Sequence, residues 1–258
     1  MPSTTDTGTA PAPHTGTSCE DTLELRLPPG FPDLLGEEGP GLPAEPAADC
    51  FRFGRAPDAR ADLPRLAEAE LLDSPAAWDP VRTPDGLFTL TPVRPEHDLD
   101  LVTRWMNDPA VAAFWELAGP AATTAAHLAA QLDGDGRSIP CLGLLDGRPM
   151  SYWEVYRADL DPLARHYPAR PHDTGLHLLI GEPGDRDRGL GGRLLRAVAD
   201  LVLDHRPRCA RVVAEPDLRN TPSVAAFLHA GFRFSAEIAL PDKRAALMIR
   251  DRALRTLL

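Results

Sequence analysis

One stretch, Asp173 to Leu195 (DTGLHLLIGEPGDRDRGLGGRLL), constrains this chain more than any other. Leu176 to Ile180 is apolar except for His177 and reads as a strand. A Gly- and Arg-rich turn follows, Arg186-Asp187-Arg188-Gly189-Leu190-Gly191, and then Gly192, Arg193 and an apolar helical run. A strand feeding a glycine turn at a helix start leaves a row of free backbone N–H groups beside arginines. Such a place binds phosphate groups, so the fold must bring the strand end and the helix start together.

The rest of the chain divides by composition. Residues 1–85 carry 16 acidic residues against 6 arginines and hold 14 of the 28 prolines, whereas residues 86–258 are close to neutral. We expect a disordered leader over 1–18, an extension or small subdomain over 19–85, and the functional domain over 86–258. Within the front, Thr22–Leu27 and Cys50–Phe53 read as strands and Leu63–Leu72 as a short helix. The net charge of −11 argues against a nucleic-acid partner, whose phosphates need a basic face. Cys19, Cys50, Cys141 and Cys209 match no C-x-x-C spacing, so neither a metal site nor a redox pair is expected. The N-terminus lacks the basic and apolar regions of a signal peptide, and no run reaches the roughly 18–20 apolar residues of a membrane span. A cytoplasmic location with no membrane partner is the expectation.

In the body, Leu87–Val93 reads as a strand and Arg94–Met106 as an amphipathic helix. Short helices are expected at Val111–Trp115 and at Thr123–Leu132, the latter with Thr123 as its N-cap. Ser138–Leu145 and Pro149–Tyr156 read as a hairpin around Asp146-Gly147. After the opening strand and its helix, which runs to about Leu203, come a strand at Arg211–Glu215 and a helix that ends at Gly231. Thr221 is read as that helix's cap and Pro222 as its first residue. Strands at Phe232–Leu240 and Ala245–Arg250 close the chain. This is an α/β fold with a mixed central sheet of about seven strands.

The order and the residues together resemble the GNAT acyltransferase superfamily. Arg186-x-x-Gly189-x-Gly191 matches its cofactor loop, and Asn220 to Phe232 (NTPSVAAFLHAGF) matches its next block. RWMNDPAVAAFWELAGP, YWEVYRADLDPL, DTGLHLLIG, EPDLRN and LPDKRAAL narrow the resemblance to the branch that serves siderophore biosynthesis. The resemblance covers roughly Leu87 to Leu258. It implies acyl-coenzyme A as co-substrate, acetyl-CoA foremost, with succinyl or longer acyl groups as options. It further implies two neighbouring parallel strands that splay apart, with the thioester between them.

The resemblance also implies roles for particular residues. Leu179, Ile180, Arg186, Arg188, Gly189, Leu190, Gly191, Gly192, Arg193, Asn220, Ser223 and Phe227 would hold the acyl-CoA. His177 would act as general base, with Asp217 orienting its ring. Many members carry a tyrosine that protonates the leaving thiolate, but the matching position here is Phe227. Trp105, Trp115, Tyr152 and Trp153 would wall the acceptor site, and Glu116 and Glu154 would attract a cationic amine. The acceptor would be the side-chain amine, free or N-hydroxylated, of a lysine, ornithine or cadaverine unit, and the product a hydroxamate. A siderophore synthetase or an amine hydroxylase of the same pathway would be a partner. Two other readings stand beside this one: an aminoglycoside-type N-acetyltransferase and a non-catalytic acyl-CoA-binding module.

Overall fold

The computed structural model describes residue 72 and residues 75–255. The leader over 1–18 and the front elements expected at Thr22–Leu27, Cys50–Phe53 and from Leu63 lie outside the described residues, apart from Leu72 itself. Eight strands form one sheet: β1 (Val81–Thr83), β2 (Gly86–Pro92), β3 (Ser138–Leu145), β4 (Arg148–Arg157), β5 (Thr174–Ile180), β6 (Arg211–Ala214), β7 (Arg233–Ala239) and β8 (Arg244–Asp251). Their order across the sheet is β1-β2-β3-β4-β5-β6-β8-β7, and every neighbouring pair is antiparallel except β5 and β6. The strand beyond the expected seven is β1, which lies inside the 19–85 range assigned to the extension. Three residues are too few to carry a hydrophobic alternation, and only the turn at Pro84-Asp85 brings them onto β2.

Among the described residues, five α-helices cover the two faces: α1 (Pro95–Met106), α2 (Pro109–Trp115), α3 (Ala121–Leu132), α4 (Leu190–His205) and α5 (Thr221–His229). Side chains alternate along the strands, so each strand supplies both layers. Trp153 and Leu176 join Leu194, Val198, Val202 and Phe227 in the core under α4 and α5. Tyr152 and Leu179 join Val102, Trp105, Met106 and Leu128 in the core under α1 and α3. Glu154 and His177 share the parity of Tyr152 and Leu179, and therefore stand on the α1–α3 face.

Two expected caps differ from those observed. Pro120 is extended and α3 starts at Ala121, so Thr123 lies inside its first turn. The cap of α5 is Asn220, whose side-chain oxygen accepts the Ser223 N–H at 3.1 Å, and Thr221 and Pro222 follow in the first turn. In both cases the residue just upstream already stops the helix, by an extended backbone or by a side chain that reaches the third N–H.

β5 and β6 pair over only two positions, Thr174↔Val212 and Gly175↔Val213. That end is clamped. The buried Asp173 carboxylate accepts from the Arg211 guanidinium, from the Tyr167 hydroxyl at 3.1 Å and from the Arg170 N–H at 2.9 Å. The Arg206 Nε donates to Thr174 Oγ1 at 3.2 Å. Beyond Gly175 the strands part: β6 keeps its pairing with β8, which runs along its whole length, and β5 runs on paired only with β4 among the described residues. The missing side chain at Gly175 leaves room for the Tyr156 ring, because a Cβ there would sit 2.0 Å from Tyr156 Cζ. Gly175→Ala is therefore expected to lower the unfolding free energy by roughly 1–3 kcal/mol, the usual cost of overpacking, as read by urea denaturation. An unchanged midpoint would mean that the ring has room to move.

Candidate active site

His177 stands where β5 leaves β6, with about a third of its side chain exposed, and both ring nitrogens face carboxylates. Nδ1 lies 2.8 Å from Glu154 Oε2 and Nε2 lies 2.5 Å from Glu215 Oε1, each carboxylate being nearly buried. Glu154 comes from β4, directly opposite His177 in the register, and Glu215 immediately follows the last residue of β6. Tyr156 lies across Gly175 and donates its hydroxyl to Glu215 Oε2 at 2.7 Å. On the other side, Glu154 Oε1 accepts from His127 Nε2 at 2.6 Å, Gln131 Nε2 at 2.8 Å and the Tyr152 hydroxyl at 2.9 Å. Trp115 closes the ring's edge, with centroids 6.1 Å apart.

These contacts set the charges. Burial works against a charged imidazole, but the Glu215 charge and the hydrogen bonds that the ring donates to both carboxylates outweigh it and raise the His177 pKa to about 10. Burial likewise works against the carboxylates, yet hydrogen bonds from His127 and His177 hold Glu154 well below the usual carboxylate range. The His177 charge does the same for Glu215. The Tyr156 phenol is pushed up by burial and by the Glu215 charge, so it stays a donor. At neutral pH the centre is an imidazolium between two carboxylates.

Asp217 does not hold the ring. Its carboxylate accepts from Arg219, whose Nη2 lies 2.6 Å away, and from the Arg219 backbone N–H at 2.8 Å. The orienting position belongs to Glu215, two residues earlier in the same EPD segment, because Pro216 intervenes and the chain at Asp217 has already turned to bridge Ala245. Glu154, expected to face the acceptor amine, holds His177 instead. Tyr152 is fully buried behind it. Trp105 is buried too, packed where a Cβ on Gly181 would fall, with its Nε1 donating to Glu182 at 3.1 Å. Trp115 is half-buried at the site, and Glu116 is exposed at the left-handed C-cap of α2.

The start of α4 has the features of an anion cradle. Gly189 is its N-cap in a left-handed conformation (φ 69°) and brings no side chain to the first-turn N–H groups, while Leu190 is buried beneath. A Cβ on Gly192 would crowd His229 and Ala226 of α5, so that glycine serves helix packing. A Cβ on Gly191 would meet only Ala226 Cβ at an ordinary 3.7 Å, so the unliganded chain does not demand glycine there. Of the three arginines, Arg188 is exposed and makes no side-chain bond among the described residues. Arg186 is committed to Asp108 at 2.8 Å and to the carbonyls of Ile180 and Gly181. Arg193 is committed to Asp85 through Nε at 2.5 Å and Nη2 at 2.8 Å. These two tie the loop to its surroundings rather than reaching toward a phosphate. Leu179 is buried in the α1–α3 core, Ile180 is half-buried on the opposite face, Asn220 caps α5, Ser223 is half-buried in its first turn, and Phe227 packs edge-on against Phe232.

Glu215, Tyr156, His127 and Gln131 were absent from the sequence expectations. Glu215 had a signal, since it ends the strand that neighbours the histidine strand. His127 and Gln131 are four residues apart on a helix otherwise rich in alanine, a spacing that marks one face but not what the face meets.

Comparison with known proteins fits this geometry. Residues 94–240 match the model described as an acetyltransferase (GNAT) domain. The chain is 38% identical over 195 residues to a lysine N-acyltransferase MbtK of Mycolicibacterium paratuberculosis, covering 76% of this chain and 81% of that protein. It is 39% identical over 158 residues to an N(6)-hydroxylysine O-acetyltransferase of Escherichia coli, covering 61% of this chain but only half of that one. Among solved structures, an uncharacterized protein from Bacillus halodurans superposes with a TM-score of 0.67 at 32% identity, over 72% of this chain and 95% of that chain. An aminoglycoside acetyltransferase crystallised with coenzyme A and kanamycin has a TM-score of 0.57 at 24% identity, over 64% and 95%, a likeness of fold. The chain belongs to the GNAT acetyltransferase family. It is an acyltransferase. No described helix is long and apolar enough to cross a membrane.

A folded-state pKa above the unfolded value means that the His177 contribution to stability is complete below about pH 6.5 and fades as pH rises toward about 10. Nitrogen-15 NMR of the His177 ring is expected to show both nitrogens protonated at pH 7 to 8. A neutral tautomer at pH 7 would contradict the charge assignment.

Proposed function

We propose that the chain transfers an acyl group from acyl-coenzyme A to the side-chain nitrogen of a lysine, ornithine or cadaverine unit, in its N-hydroxylated form by preference. The product is a hydroxamate building block of siderophore biosynthesis, made in the cytoplasm by the domain that β1 opens. The carrying observation is His177 held between two buried carboxylates at the point where β5 and β6 part. The sequence relatives support the acceptor class, since their names specify lysine, hydroxylysine, hydroxyornithine and N-hydroxyputrescine chemistry.

The residues present fit acyl-CoA. The first-turn N–H groups of α4 and the Arg188 guanidinium would take its phosphates. The β5 edge beyond Gly175, without a strand partner among the described residues, would accept an extended chain bearing amides. When bound, the co-substrate supplies an acyl group activated as a thioester. The protein's own task is then the proton. An imidazolium is an acid before it is a base, and with Phe227 carrying no hydroxyl, His177 is the proton donor for the leaving sulfur. Glu215 accepts the N–H proton of the attacking nitrogen and returns it to Nε2, so the proton count of the site is unchanged. A hydroxylamine nitrogen is neutral at pH 7 and needs no prior deprotonation. Two carboxylates against one imidazolium leave the site net negative, which favours acceptors with a second, cationic amine.

The test is thiol release from acetyl- and succinyl-CoA with N6-hydroxylysine, N-hydroxyornithine, N-hydroxycadaverine, lysine and kanamycin. Turnover is expected on the hydroxylated amines above lysine. Turnover on kanamycin alone would replace this reading with the aminoglycoside one, and none on any amine would favour an acyl-CoA-binding module. His177→Ala is expected to lower kcat by about 100-fold or more, and Glu215→Gln to lower it in the same direction. Gly191→Ala fits the unliganded chain, so it is expected to raise KM for acyl-CoA without lowering the melting temperature. An unchanged KM would remove Gly191 from the cradle.

A further inference from the structure

The centre does not end at His177. Glu154 Oε1 gathers three donors: His127 and Gln131 from α3, and the Tyr152 hydroxyl from β4. Glu154 Oε2 is left with one partner, His177 Nδ1. A carboxylate saturated on one oxygen cannot rotate without breaking those bonds, so the other oxygen is fixed in place. The sharing also fixes the ring. With Nδ1 committed to Glu154, Nε2 is the nitrogen that faces Glu215 and the gap between β5 and β6.

His127 is the outermost ionisable member of this row. Its side chain is 18% exposed, and it occupies the face of α3 that packs on the sheet. Gln131, one turn further on, is itself held by the Ser138 hydroxyl, which donates to Gln131 Oε1 at 2.7 Å. That bond orients the amide so that its NH2 points at Glu154. The groups that face Glu154 are thus His127 and Gln131 from α3, Tyr152 from its own strand and His177 from β5. Glu215 and Tyr156 stand behind His177.

We propose that His127 is a positioning residue for acyl transfer: its Nε2–H anchors Glu154, and Glu154 in turn sets the orientation and protonation of His177. The His127–Glu154–His177–Glu215–Tyr156 row acts as one unit built from α3, β4, β5 and the end of β6. This rests on the reading of His177 as the reacting side chain.

The experiment compares His127→Ala, His127→Gln and His177→Ala in the full chain, by steady-state kinetics from pH 6 to 10 and by nitrogen-15 NMR of the His177 ring. His127→Ala is expected to lower kcat by about 10- to 100-fold, the scale of a small misplacement of a reacting group. It is expected to leave KM for acyl-CoA unchanged and to shift the His177 titration to higher pH, since Glu154 then has one donor fewer competing with the His177 ring for its charge. His127→Gln, which keeps a donor, is expected to recover most of both. A role in packing alone would not move the His177 resonances. Should His127→Ala fail to fold, Gln131→Leu removes a different donor from the same oxygen and is expected to shift the titration in the same direction. Wild-type kcat, pH profile and His177 resonances in these variants, with His177→Ala inactive, would overturn the proposal alone. Wild-type activity in His177→Ala would overturn the reading beneath it as well.

Discussion

The clamp at the base of β5 and β6 is the constraint on which the rest of the site depends. Asp173 and Arg211 form a buried ion pair whose remaining hydrogen-bonding capacity is filled by Tyr167, Arg170 and the Pro168 carbonyl. Breaking such a pair leaves a charge buried without a partner, a cost of about 3–5 kcal/mol, so the two strands are held firmly at that end. Only two residue pairs follow before they part. A parallel pair pinned at one end and released at the other opens a wedge inside a continuous sheet, and His177 stands in it.

Within the wedge, electrostatics rather than packing sets the chemistry. One imidazole between two nearly buried carboxylates keeps its proton through neutral pH, because losing it would leave two negative charges in a low-dielectric place with no cation between them. The expected pair of His177 and an orienting Asp217 is thus replaced in the structure by His177 between Glu154 and Glu215. Phe227 is buried against Phe232.

Much of this was legible in the residues. The strand, glycine turn and helix from Thr174 to His205, the hairpin at Asp146-Gly147 and the order of the later elements follow from periodicity and turn chemistry. What was missed shares one cause. β1 is too short to carry a pattern. The Thr123 and Thr221 caps were displaced by neighbours whose backbone or side-chain geometry no composition rule describes. Arg186 and Arg193, in a phosphate-binding sequence context, turn to Asp108 and Asp85, acidic residues 78 and 108 positions earlier in the chain.

The sequence by itself determined the fold family, the glycine turn at the start of α4 and the place of His177 on the strand before it, because each depends on local pattern or on a contiguous motif. Which carboxylates hold that histidine was decided only by the tertiary structure. Glu154 reaches it through antiparallel register, Glu215 through the end of a parallel pair, and His127 through the packing of a helix on the sheet. None of these contacts lies within one helical turn or one strand of His177 along the chain. Non-local contacts are set by how layers stack, and stacking carries no signature in the spacing of residues.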